Sequence, residues 1–139
     1  MEQSKMITVE IMVKAPVEKI WKHWNEPESI NKWCSASPDW HTVNARNDLR
    51  VGGEISSRME AIDGSMGFDF GGVYTDVIPH EFIAYKMGDG RKVEISFREE
   101  NGLTHIRESF DPESENPEEM QRGGWQAILS NFRDFTEAN

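Results

Sequence analysis

The sequence has a single cysteine, Cys34. One thiol cannot close an internal disulfide, so the chain is no stapled scaffold, and this usage fits a reducing cytoplasm. Long apolar runs are missing too, and none approaches the roughly 20 residues that cross a bilayer. The opening Met1-Glu2-Gln3-Ser4-Lys5 lacks the basic-then-apolar order of a secretory leader. Clustered basic residues are also lacking, since the nearest pair, Arg46 and Arg50, brackets Asp48. A net charge of −10 and a pI near 4.8 oppose contact with a phosphate backbone or an anionic lipid surface. Neither nucleic acid nor membrane is expected as a partner.

Several catalytic signatures are absent as well. His23, His41, His80 and His105 show no i, i+4 pairing and no accompanying cysteine, so no metal site is expected. Cys34 has only Lys32 nearby to lower its pKa, which reads as a structural thiol rather than a nucleophile. No Gly-x-Ser-x-Gly elbow occurs, and the Gly-Asp-Gly-Arg-Lys run at 88–92 has the spacing of a hairpin rather than a phosphate loop. No catalytic set and no cofactor is assigned.

What is present is enough apolar material for one domain spanning 1–139. Hydrophobic residues make up 37%, with 5 Trp and 7 Phe, which a disordered chain would not carry. No repeat or low-complexity tract divides it. Residues 6–13 alternate apolar Ile7, Val9, Ile11 and Val13 with Thr8, Glu10, Met12 and Lys14, the period of a half-buried strand. Pro16 then opens a short amphipathic helix carrying Val17, Ile20, Trp21 and Trp24, and Pro27 opens a second with Ile30 and Trp33 on one face.

Strands are expected at 40–47, 54–61, 68–77, 82–87, 92–98 and 104–110. Gly52-Gly53, Asp63-Gly64, Asp89-Gly90 and Asn101-Gly102 punctuate them as tight turns. Such short connections imply an antiparallel meander, since parallel strands need long crossovers. Gly71-Gly72 within a strand suggests a bulge or bend. After the loop Asp111–Pro117, residues 118–136 form the last helix, with Trp125, Ile128, Leu129, Phe132 and Phe135 on one stripe. Gly123 and Gly124 sit in its first half, marking either a weak helix start or a gap in a wall over a pocket.

The run Val9-Glu-Ile-Met-Val-Lys-Ala-Pro-Val-Glu-Lys-Ile-Trp21, then Asp48-Leu-Arg-Val-Gly-Gly53, Asp63-Gly-Ser65, Phe68-Asp-Phe-Gly-Gly-Val-Tyr74 and Gly123-Gly-Trp125, resembles the SRPBCC (START-like) superfamily. The branch is the one related to the activator of the heat-shock-protein-90 ATPase. The resemblance covers almost the whole chain. It implies an α+β helix-grip fold: a curved antiparallel sheet of six or seven strands wrapped around a long C-terminal helix, with two short helices after the first strand. It also implies a cavity between sheet and helix that takes hydrophobic small molecules, and by family analogy alone a chaperone partner in a stress response.

The leading functional expectation is therefore a binding site for a lipid-, polyketide- or flavonoid-like ligand. A cyclase or hydrolase acting on such a ligand is the alternative, and a co-chaperone-like adaptor a third. Trp33, Trp40, Phe70, Tyr74, Met120, Gly124 and Ile128 are expected to line the cavity, aromatic and thioether groups suiting an apolar, variable ligand. His41, on a face shared with Val43 and Ala45, is expected to point inward. Arg58, Asp69, Asp76 and Glu108 are the candidate polar groups if a bulge near Gly71 shifts the register, with Asp69 or Glu108 available to pair Arg58. A titratable group facing the cavity with a perturbed pKa would favour the enzyme alternative.

Overall fold

The computed structural model describes residues 6–35 and 37–139. The first five residues, read above as lacking a leader, and Ala36 lie outside the described residues. The elements run β1 (Ile7–Val13), α1 (Val17–Asn25), α2 (Pro27–Trp33), β2 (Trp40–Asn47), β3 (Glu54–Ala61), β4 (Gly67–Ile78), β5 (Phe82–Met87), β6 (Lys92–Glu100), β7 (Leu103–Phe110) and α3 (Glu118–Ala138). No described helix is long and apolar enough to cross a membrane.

All seven strands form one antiparallel sheet in the order β1-β7-β6-β5-β4-β3-β2. The short turns explain this order, because each hairpin lays a strand beside its predecessor. Asn101 and Gly102 both take positive φ, 55° and 79°, and so close the β6–β7 hairpin with a turn that matches the strand twist. The chain leaves β1, crosses through α1 and α2, and re-enters at the opposite edge as β2. The helices thus bridge the two edges of a curled sheet: α2 lies against β2, and α3 runs along β1.

Alternation along β1 behaves as its sequence pattern requires: Ile7, Val9 and Val13 are buried, while Thr8 and Glu10 face away. On α1, Ile20 and Trp24 are four residues apart and buried together. Proline begins or precedes all three helices, at Pro16, Pro27 and Pro117. The solid part of the core lies where the helices converge. Trp24, Trp33 and Phe132 meet with ring centroids 4.9 Å apart in every pairing, and Phe97 joins from β6 at 5.6 Å from Trp24.

The expected bulge at Gly71-Gly72 is not there. Pairing runs unbroken from Glu54↔Val73 to Glu60↔Gly67, and the irregularities fall instead between Tyr74 and Asp76 and between Val43 and Arg46. The glycine serves a different need. A Cβ on Gly72 would sit 2.9 Å from Tyr85 Cδ2 and 2.9 Å from the Lys86 carbonyl oxygen, so only glycine lets the Tyr85 ring lie over that strand.

Candidate functional site

Because the register does not shift at Gly71, parity sets which residues of the β3–β4 pair face inward. Ile55, Ser57 and Met59 of β3 face inward opposite Gly72, Phe70 and Phe68 of β4. Arg58 and Asp69 are directly opposed on the other face, where Arg58 Nη1 lies 3.4 Å from Asp69 Oδ1 and Nε lies 3.7 Å from Glu60 Oε2. Arg58 therefore does not line the cavity, and Asp69 and Asp76 are exposed. The inward placement of His41 is corrected by the same parity. On β2 it is Thr42 that is buried, opposite Met59, while His41 opposes Glu60 and its Nε2 is 3.0 Å from Glu60 Oε1. Asn44, at φ 56°, makes the irregularity that returns Ala45 to the core.

Two adjoining spaces lie between the inner face and α3. The deeper one, about 550 Å³, is lined by Trp33, Phe70, Tyr74, Tyr85, Met87 and Ile128, among others. An outer chamber of about 410 Å³ is bounded by Trp40, Thr42, Met120, Gly124 and the loop residues Glu113 and Asn116, with His41 at its rim. Cys34, Met59, Phe68, Trp125 and Ile128 border both, so the outer chamber is the mouth of the inner one. Of the residues singled out from sequence, the fold brings Trp33, Phe70, Tyr74 and Ile128 to the interior. Trp40, His41, Met120 and Gly124 come to the mouth, and Arg58 to neither. A wider concavity of about 980 Å³ over Gly71–Val73 and Lys86–Arg91 opens broadly to solvent.

The α3 wall changes along its length. Leu129, Phe132 and Thr136 are fully buried, and Trp125 stacks on Phe110 at 3.9 Å with the rings 10° from parallel. One turn earlier the helix is thin: a Cβ at Gly123 or Gly124 would touch nothing within 4 Å, and Met120 is 63% exposed. Gln121 was missed by the stripe argument. It is buried, and its amide ties the preceding loop to the helix, donating to the carbonyls of Glu113 at 3.1 Å and Asn116 at 2.8 Å.

Polar groups at the cavity fall into two kinds. The Tyr74 hydroxyl donates to Asn47 Oδ1, and Asn47 Nδ2 reaches the Asn25 carbonyl at 2.8 Å, so that phenol is anchored to the end of α1. Thr42 donates its hydroxyl to the Cys34 carbonyl. Burial pushes the Cys34 thiol up to about 12, against a smaller opposing effect of Thr42, which leaves a thiol without nucleophilic character.

Glu108 and Tyr85 are the second kind. Both line the cavity, and Glu108 is only 5% exposed as a residue; no side-chain hydrogen bond holds either among the described residues, and their oxygens face the open space of the cavity rather than sealed protein. Glu108 sits on β7 between Val9 and Ile95, both buried and apolar. Burial alone raises its carboxyl to about 8, and burial first and the Glu108 charge second push the Tyr85 phenol well above its ordinary value. Glu108 was named in sequence as a candidate cavity group only if a bulge near Gly71 shifted the register, and as a partner for Arg58; it enters the cavity without that shift. The signal that finds it is its place in the Thr104, Ile106, Glu108, Phe110 alternation, which puts it on the buried face of β7.

The model of the family of Activator of Hsp90 ATPase homolog 1-like proteins matches residues 14–137. A search of curated proteins finds no match. Among solved structures, an AHSA1-like protein from Aeromonas hydrophila is 41% identical, with a TM-score of 0.86 over 95% of this chain and 93% of that one. A protein from Cytophaga hutchinsonii is 56% identical, with a TM-score of 0.83 over 96% and 93%. One from Chromobacterium violaceum shares 21% identity and a TM-score of 0.86 over 96% and 99%, a likeness of fold alone.

Proposed function

The chain belongs to the Activator of Hsp90 ATPase homolog 1-like family, and from that premise we propose that it binds a hydrophobic or aromatic small molecule between sheet and C-terminal helix. The observation that carries this reading is the inner cavity of about 550 Å³, walled by Trp33, Phe70, Tyr74, Tyr85 and Ile128. Its size is that of ordinary small-molecule sites, and an apolar wall with few polar groups is their usual make-up. Apolar walls around an unfilled space forgo packing contacts, and a ligand would restore them.

The test is to purify the protein under mild conditions, examine it by native mass spectrometry for a retained molecule, and titrate the stripped protein with flavonoid-, polyketide- and fatty-acid-like compounds. Trp33 and Trp125 border the cavity, so binding is expected to change tryptophan fluorescence. Ile128→Trp, which fills the passage between the chambers, is expected to weaken it at least tenfold. A protein that neither retains nor takes up any of these compounds would end the reading. Glu108 favours a second reading, acid–base catalysis on the bound molecule, because a carboxyl titrating near neutrality suits proton transfer. Recovery of a chemically altered ligand from the same titration would select it.

A further inference from the structure

A carboxyl in a mostly apolar cavity without a protein partner is costly to ionise and is free to meet a ligand. Ion pairing does not explain Glu108. Arg91 is the cation in the cavity lining, and its Nε is held 2.7 Å from Asp89 Oδ2 at the rim. No salt bridge reaches Glu108 among the described residues. Cys34 at the end of α2 and Tyr85 on β5 are near enough to feel the Glu108 charge, and neither is a cation; Ser57 and Tyr74 line the same cavity. In such surroundings the proton stays on the carboxyl, and a protonated carboxyl is a hydrogen-bond donor. Tyr85 is a donor too, and unlike Tyr74 it is not committed to an asparagine.

We propose that Glu108 donates a hydrogen bond to a carbonyl oxygen of the ligand, with Tyr85 as a second donor, so that the cavity selects aromatic ketones over plain hydrocarbons and over amines. This rests on the binding reading above and narrows it to a chemical class. The geometry behind it is simple: β7 brings one acid into a mostly apolar chamber, and the Tyr85 phenol of β5, two strands along the same sheet, lines that chamber uncommitted. A cation would need the carboxylate, which the apolar walls disfavour. A plain hydrocarbon would cover both donors and leave them unpaired, which costs more than losing a contact.

The test compares three matched probes, naphthalene, acetylnaphthalene and naphthylmethylammonium, by fluorescence titration of wild type, Glu108→Leu, Glu108→Gln and Tyr85→Phe. Thermal unfolding of each variant first verifies that it folds. Acetylnaphthalene is expected to bind wild type about fivefold or more tighter than naphthalene, the usual net worth of one hydrogen bond. The ratio of the two affinities within each variant cancels changes in cavity shape. Glu108→Leu is expected to bring that ratio close to one, Tyr85→Phe to lower it partway, and Glu108→Gln, whose amide still donates, to keep part of it. An undiminished ratio in Glu108→Leu, or a preference for the ammonium, overturns the proposal. Naphthalene binding without any gain for the ketone overturns this inference alone. Failure of all three probes overturns the binding reading as well.

Discussion

The two halves of α3 meet the same sheet and do opposite things. Its C-terminal half is packed solid, with Leu129, Phe132 and Thr136 fully buried and Phe132 wedged against Trp24 and Trp33. Its N-terminal half carries Gly123 and Gly124 against empty space and leaves Met120 exposed over the cavity mouth. The sheet shows the same division. Val93, Ile95 and Ile106 are sealed, whereas Phe70, Tyr74 and Tyr85 border a void, with their rings edge-on at 6.1 Å. Stability is concentrated at one end of the helix, and the other end is left thin where a ligand would enter.

Three changes would break or sharpen this contrast. The largest effect is expected from Phe132→Ala. It removes a ring with no exposed surface and leaves a hole among Trp24, Trp33 and Leu129, costing about 3–5 kcal/mol. Denaturant unfolding would measure it, and a cost under about 1 kcal/mol would mean that this end is not the anchor.

Glu108→Gln comes next, through pH. The folded carboxyl keeps its proton up to about 8, while in the unfolded chain it ionises near the ordinary 4.5. Below 4.5 both states are protonated and the group costs nothing. As pH rises toward 8 the unfolded chain releases a proton that the native chain retains, so stability declines, by up to about 1.4 kcal/mol per unit. Glutamine cannot ionise. The variant is expected to match wild type near pH 4.5 and to exceed it by roughly 4 kcal/mol at pH 8. Urea midpoints for both proteins across that window would check it, and parallel curves would show that the carboxyl is not sealed.

The smallest effect is expected from Gly124→Ala. Alanine removes the entropic penalty of glycine in a helix, and its methyl meets no atom within 4 Å, so stability should rise by about 1 kcal/mol. Thermal unfolding would read this. A bulkier Gly124→Leu should instead narrow the mouth and slow ligand uptake. An alanine variant that loses stability would contradict the open wall.

Much of the architecture was legible beforehand because periodicity and turn chemistry are local. Alternation places Val9 and Val13 of β1 inward, and Asn101-Gly102 specifies its hairpin without help from the rest of the chain. The site was legible only in part. Trp33, Phe70, Tyr74 and Ile128 reach the interior because large apolar groups near the sheet–helix space have few other places to go. Arg58 was a candidate only through a register shift at Gly71 that does not occur, and His41 reaches the mouth rather than the interior because strand parity buries Thr42 instead. Period-2 geometry turns a single step of register into the opposite face of the sheet.

The sequence by itself determined the strands, the three helices, the proline starts of the first two, the antiparallel meander of the hairpin-linked strands and the apolar stripe of α3, since each follows from a pattern a few residues long. Only the tertiary structure decided where the bulges fall, why Gly72 must lack a side chain, and that Glu108 and Tyr85 enter one cavity without a side-chain partner. Those outcomes depend on which strands face each other across the sheet and on what the space between sheet and helix leaves unfilled. No local pattern encodes either.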